Sequence, residues 1–294
     1  MSNNIQIDKY IHKLRTYPLD LIKSKVITKV RVKSYRIRDR ARAVNRATHI
    51  NDGELLKALR GFKDIELVAE HLLNRSCYLE DIDLTKAISD PDLTIKIADK
   101  TLRGHMEILG RITQFPEGRI DWHSDFTCGF EWSRDSYFAD IVYGNVPDAD
   151  IKIPWELGRL QFLYPVMNAY LITEDNCYLD YLINTVKDWI EKNPPKLGPG
   201  WACTMDVGIR AANLCIIYCW LQRHKALSKE LALEIFRSLY SHADYIVHNL
   251  EYDISLTSNH YLSDIVGLLY IGAFFPEFKH SDEWVAYSIQ ELIT

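Results

Sequence analysis

Asn259 and His260 stand where a polar stretch, Leu256-Thr-Ser-Asn-His260, gives way to an apolar helix pattern running to Phe275. Unpaired backbone N–H groups and the helix dipole converge at such a point, which makes it a place to hold an anion. The plainer reading of a Ser-Asn pair before a helix is an N-cap. Two more polar groups open helix patterns upstream: Glu156 with Arg159, and Trp201 with Asp206 and Arg210. Brought together, these residues would present carboxylates, guanidiniums, an amide, an imidazole and an indole. That mix suits a charged, hydroxyl-rich polymer such as an anionic polysaccharide. Each component also has a bland reading. Glu156 and Arg159 are an i,i+3 pair, Asp206 and Arg210 an i,i+4 pair, and both spacings describe ordinary helix-surface ion pairs. Trp201 equally describes a plug at a hairpin junction. His260 has no partner at metal-ligand spacing, and the six cysteines show neither a CxxC pair nor Cys/His spacing, so neither a metal nor a cofactor is expected. Cys215 and Cys219 share an apolar helical stripe and read as buried free thiols, which suits a reducing compartment.

The elements that must position these groups are helices. Trp155 to Leu171 reads as one apolar helix that Pro165 kinks or divides. Tyr178 to Glu191 follows, stopped by Asn193-Pro-Pro195. Met205 to Leu221 is a third. Ser228 caps a fourth that runs to about Asn249, Asn259 opens the fifth, and Ser281 caps a sixth. The odd-numbered helices begin near Trp155, Asp206 and Asn259, at intervals of 51 and 53 residues. Two helices per unit at that period describe stacked α-hairpins. In such a stack every first helix points the same way, so the polar helix starts share one end.

Upstream, residues 53–76 carry one or two amphipathic helices, and Leu93 to Leu109 reads as a helix interrupted at Gly104. The run from Phe115 to Trp132 is rich in turn formers and aromatics and reads as an ordered loop or short strands. Trp122, His123 and Trp132 there either stack on sugar rings or pin the loop to the body. The chain carries a net −5, but residues 1–48 hold thirteen Lys/Arg against three Asp/Glu, about +10, which leaves the rest near −15. Lys25 to Arg38 alternates in part, without deciding between strand and helix. The basic segment reads as a solvated face; the sharper reading is a surface for an anionic glycan, nucleic acid or lipid headgroups. No apolar run approaches the roughly 20 residues of a membrane span. The start has no basic region followed by an apolar core, so a cytoplasmic location is expected, with export as the alternative.

Three segments carry a resemblance: Trp155-Glu-Leu-Gly-Arg-Leu-Gln161; Asp188-Trp-Ile-Glu-Lys-Asn-Pro-Pro195 with Trp201-Ala-Cys-Thr-Met-Asp-Val-Gly-Ile-Arg210; and Ser258-Asn-His-Tyr-Leu262 with Gly267-Leu and Phe275-Pro-Glu277. In this order and spacing they resemble the heparinase II/III-like polysaccharide lyases and the related alginate lyases. Ile120-Asp-Trp-His-Ser-Asp125 is similar to the segment before their helical domain, so the likeness covers about residues 118–294. It implies an (α/α) toroid followed by a β-sandwich, and β-elimination of a uronic-acid-containing glycan. In that reaction the proton at C5, beside the carboxylate, is removed and the C4–O bond breaks. The family places an Asn against the carboxylate, and the match falls on Asn259; a Tyr or His serves as base and a Tyr as acid. The substrate contacts implied here are His260, Arg210, Asp206, Trp201, Arg159, Glu156, Trp122 and His123. Asp206 stands where the family more often has Glu, and Pro165 is unusual for its helix.

The expectation is an all-α chain: residues 1–117 a basic extension and helices, 118–150 an aromatic loop segment, and 151–294 a partial (α/α) toroid. The resemblance places the catalytic Tyr on a later helix and the His in the β-sandwich, both beyond Gln290-Glu-Leu-Ile-Thr294. The chain is therefore expected to be the toroid portion of a lyase, with little activity by itself. The alternative is a non-catalytic helical module that binds glycan or protein. A third reading, a glycoside hydrolase, would need Glu156 and Asp206 as a carboxylate pair in the cleft.

Overall fold

A computed structural model describes residues 39–41, 43 and 50–293, apart from 77, 80, 81, 117, 118, 145 and 253–257. The chain divides into Met1–Arg46 and Ala47–Thr294, and the candidate site lies wholly in the second unit. The basic stretch and the alternation from Lys25 to Arg38 lie outside the described residues.

The second unit is helical, with two small antiparallel hairpins. It runs α1 (Asp52–Ala58), α2 (Ile65–Asn74), α3 (Pro91–Leu102), β1 (His105–Ile108), β2 (Arg111–Gln114), β3 (Ser124–Asp125), β4 (Phe130–Glu131), α4 (Lys152–Gly158), α5 (Tyr164–Thr173), α6 (Asn176–Lys192), α7 (Thr204–Arg223), α8 (Lys229–His248), α9 (Asn259–Phe274) and α10 (Ser281–Ile293). Asn51, Asp64, Asp90, Asp175, Ser228 and Ser258 each accept a backbone N–H in the first turn of the helix they cap. The apolar helix expected from Trp155 is divided. Leu160 takes a left-handed conformation, φ 63°, and a short 3-10 turn precedes α5, where Pro165 occupies the first turn. Proline is tolerated there because its missing N–H would have had no intrahelical partner.

One sequence expectation fails. Leu93 to Leu109 is not an interrupted helix, because α3 stops at Leu102 and the chain turns back as the β1–β2 hairpin. Gly104 makes the corner at φ +80°, and a Cβ there would come within 2.3 Å of the Phe115 carbonyl oxygen. Leu109 and Gly110, both at positive φ, form the two-residue turn that strand twist favours. The aromatic run does form the expected short strands, β3 against β4.

The hairpin stack is present: α4 and the divided α5 with α6, α7 with α8, and α9 with α10. The first helices run parallel, since Asn259 faces Met205 at one end while Phe275 packs on Tyr218 toward the other. Helices α7 and α9 approach backbone to backbone. A Cβ on Gly267 would lie 2.5 Å from the Gly208 Cα, and one on Gly208 would lie 2.4 Å from the Ser263 carbonyl oxygen. The far end is closed by Arg75, which donates to both Glu277 oxygens at 3.0 Å and to the Phe274 carbonyl at 2.6 Å. The architecture is thus a partial (α/α) toroid. Among the described residues, no helix is long and apolar enough to cross a membrane.

Candidate functional site

The polar helix starts do gather at one end of the stack. Arg159, capping α4, donates from Nη1 to Glu156 Oε2 at 2.5 Å and from Nε to Asp206 Oδ1 at 2.6 Å, which ties the first hairpin to the second. The Arg159 carbonyl accepts from Asn213 at 2.7 Å, and Asn213 in turn accepts from the Tyr164 hydroxyl. Trp155 donates to the Pro199 carbonyl at 2.9 Å, the same junction seen from the other side. Glu156 and Arg159 keep 24% and 20% of their side chains exposed, so their polar tips reach solvent. Asp206 is wholly buried and its Oδ2 has no hydrogen-bond partner among the described residues. A buried carboxylate already bridged to Arg159 is a poor member of a hydrolase pair, so the Glu156–Asp206 arrangement does not support glycoside hydrolysis.

The same end of the stack is completed by α9. Ser258, not Asn259, is the cap: its hydroxyl accepts the Tyr261 N–H at 3.3 Å. This leaves the Asn259 side chain out of the cap; it is exposed, and among the described residues it donates a long contact, 3.8 Å, to the Met205 sulfur. His260 is half-buried and its Nδ1 lies 3.2 Å from Glu251 Oε2. Glu251 also accepts the Met205 N–H at 3.0 Å, while its own N–H donates to Asp264 Oδ2 at 2.7 Å. Burial pushes the Asp264 carboxyl up to about 8, and the nearby Glu251 charge adds to the rise. Cys203, at the start of α7, places its sulfur 3.8 Å from Glu251 Oε2 and 3.9 Å from His260 Nδ1. The fold brings Cys203 and Glu251 to His260, neighbours that its sequence spacing does not show.

Other expected sugar contacts are turned inward. Arg210 has no exposed surface. Its guanidinium lies 4.3 Å from the Trp189 ring centroid and 5.3 Å from that of Trp201. It donates to His242 Nε2 at 2.9 Å and to the Gly200 carbonyl at 3.0 Å. His242 Nδ1, 2.7 Å from the Ser238 carbonyl, must carry the ring proton if Nε2 accepts from Arg210. Burial lowers the Arg210 pKa and the Asp206 charge opposes that, yet a guanidinium stays protonated near neutrality. Trp201 is equally buried and fills the hairpin junction. Arg210 and Trp201 are therefore interior residues, and in this conformation offer no surface to a sugar.

Trp122 and His123 are buried as well. Trp122 donates to Asp188 at 2.7 Å, which pins the aromatic segment to α6. Burial lowers the His123 pKa. Trp132 packs with Ile141, Ile151, Trp155 and Cys203. These aromatics hold the loop to the body. Glu251 and Asp264 are the residues that sequence reasoning missed. Asp264 had a signal, an acid inside the apolar pattern of α9; Glu251 is an ordinary loop glutamate with none.

Residues 69–294 match the family described as Heparinase II/III N-terminus, a reach that begins upstream of the residue 118 expected from the motifs. A heparin-sulfate lyase of Pedobacter heparinus is 27% identical over 164 residues, 54% of this chain and 24% of that protein. A heparin-sulfate lyase of Bacteroides thetaiotaomicron is 26% identical over 141 residues, 47% of this chain and 20% of that protein. The match thus spans about a quarter or less of the curated relatives' length. Among solved structures, a heparinase III aligns at TM-score 0.58 and 20% identity, over 83% of this chain and 39% of that one. The heparan sulfate lyase of Pedobacter heparinus aligns at 0.55 and 22%, over 77% and 33%. At such identities the solved structures bear on the fold alone.

Proposed function

The chain belongs to the heparinase II/III family, and from that membership we propose that it supplies the carboxylate-binding side of a β-elimination site for a uronic-acid-containing anionic glycan. The observation that carries this reading is the position of Asn259. Its amide stands exposed at the start of α9, uncommitted to capping, at the same end as the Glu156–Arg159 pair. A uronate carboxylate seated there would meet a neutral donor and the positive end of a helix. Removing the C5 proton sends charge into that carboxylate, and a preorganised donor stabilises the enolate-like anion more than the ground state. Arg159, partly exposed and already paired with Glu156 and Asp206, is the substrate contact the reading expects at that end.

The proton itself needs a base. Tyr261 is adjacent in sequence, but its hydroxyl is engaged by Tyr287 and Glu291, each at 2.7 Å, and burial raises its pKa. That environment disfavours the phenolate a base requires. On this reading the described residues serve binding and carboxylate polarisation, with little turnover by themselves. The heparan-type substrates of the relatives name the first glycan to try. The test uses the 294-residue chain with heparan sulfate oligosaccharides, following binding by calorimetry and unsaturated product by far-ultraviolet absorbance. Binding that weakens in Asn259→Ala and Arg159→Ala, with little absorbance rise, is the expected result. Robust turnover would overturn the division of labour, and absence of binding to any uronate glycan would overturn the substrate class.

A further inference from the structure

We infer that Cys203, Glu251 and His260 form a binding site for a borderline-soft divalent cation such as Zn²⁺. The three donor atoms make a triangle: 3.8 Å from sulfur to carboxylate oxygen, 3.9 Å from sulfur to Nδ1, and 3.2 Å from Nδ1 to oxygen. A tetrahedral zinc ion, with bonds of about 2.3 Å to sulfur and 2.0–2.2 Å to nitrogen and oxygen, spaces its ligands roughly 3.3–3.6 Å apart. The triangle needs adjustments of only a few tenths of an ångström. The sulfur separations are long for a thiol hydrogen bond yet suit two ligands of one ion. Thiolate, imidazole and carboxylate together favour zinc over magnesium or calcium, which take oxygen ligands.

The donors sit on fixed supports. Cys203 is the N-cap residue of α7 and His260 the second residue of α9, and those helices are locked together at Gly208 and Gly267. Glu251 is held from two sides, its Oε2 by the Met205 N–H and its own N–H by Asp264. Such outer hydrogen bonds orient ligands and set their basicity. The His260 and Glu251 side chains are 40% and 34% exposed, so the group is reachable from solvent. Three protein ligands leave the fourth position of a tetrahedral ion to water or an anionic ligand. On binding, the Cys203 thiol loses its proton to solvent and the sulfur lone pair forms the metal bond. The inference is independent of the lyase reading, since it concerns uptake of an ion rather than turnover.

The test takes the 294-residue chain, purified without a histidine tag and stripped with chelator, and dialyses it against Co²⁺ as a spectroscopic stand-in for zinc. About one cobalt per chain should remain after gel filtration, with thiolate-to-cobalt charge-transfer absorption in the near ultraviolet. Cys203→Ser should abolish that band, and Glu251→Gln and His260→Ala should each weaken uptake about tenfold or more. Lack of uptake by the unmodified chain would overturn the inference. So would an unchanged band in Cys203→Ser, which would assign the metal to other cysteines, or unchanged affinity in both Glu251→Gln and His260→Ala.

Discussion

Arg159 Nε and Asp206 Oδ1 lie 2.6 Å apart, across a boundary between two hairpins. The partner carboxylate is wholly buried while the guanidinium reaches the cleft. One residue thus neutralises the interior acid and pairs nearer the surface with Glu156. Replacing Arg159 by Ala strands a buried carboxylate, which should cost about 3 kcal/mol. Urea denaturation of Arg159→Ala, Asp206→Asn and the double variant should show strong coupling, the double losing less than the sum of the singles. Additive losses would mean that the pair is solvent-screened.

Asp264 should give the fold a measurable pH dependence. Its carboxyl is held up at about 8 by burial, against about 3.9 for an unfolded aspartate. Between those values the folded state holds a proton that the unfolded state has released. Stability must therefore fall as pH rises through the window, at up to about 1.4 kcal/mol per unit. Asp264→Asn keeps an acceptor for the Glu251 N–H and removes the titration. Melting temperatures from pH 5 to 9 should converge at the acid end and favour the variant at the alkaline end.

Gly208→Ala and Gly267→Ala should each destabilise by about 1–3 kcal/mol, because each adds a methyl where backbone already stands within 2.4–2.5 Å. Each kcal/mol should lower the melting temperature by about 2–4 °C in a domain of this size. Glycan binding should weaken in parallel, since the strain falls on the helices carrying Asn259 and Asp206. Unchanged thermal stability would show that α7 and α9 are loosely docked.

Arg210→Ala should cost about 3 kcal/mol or more, from the cavity and from the loss of its hydrogen bonds to His242 and Gly200. Arg210→Lys should recover little, because an ammonium can neither stack flat on Trp189 nor reach the same carbonyl and imidazole. Chemical denaturation reads both. Near-native stability with lost glycan binding would return Arg210 to the cleft.

The helices of residues 151–294 were legible because capping residues and apolar spacing agree there, and the 51- and 53-residue intervals carried the parallel stacking. The β1–β2 hairpin was not legible: four-residue strands give too little alternation, and Leu109 is an unusual choice for a positive-φ turn position. Periodicity placed Arg159, Asp206, Arg210 and Asn259 at one end, but it cannot tell which of them turn inward. Arg210 and Trp201 belong to a buried cation–π stack that no spacing rule announces. The Cys203–Glu251–His260 group was hidden because its members meet only after the second hairpin folds back, from positions 48 and 9 residues apart.

The touching glycines of α7 and α9 have an evolutionary consequence. Where helices meet through large side chains, drift in those side chains alters the spacing between them. Here the main chains themselves set the separation, so Asn259 and Asp206 inherit a gauge that neighbouring substitutions leave nearly untouched. Relatives that diverge widely in sequence while retaining two glycines at this crossing could still hold the same interval between the amide and the acid. Lineages that lose either glycine would have to re-register both helices at once.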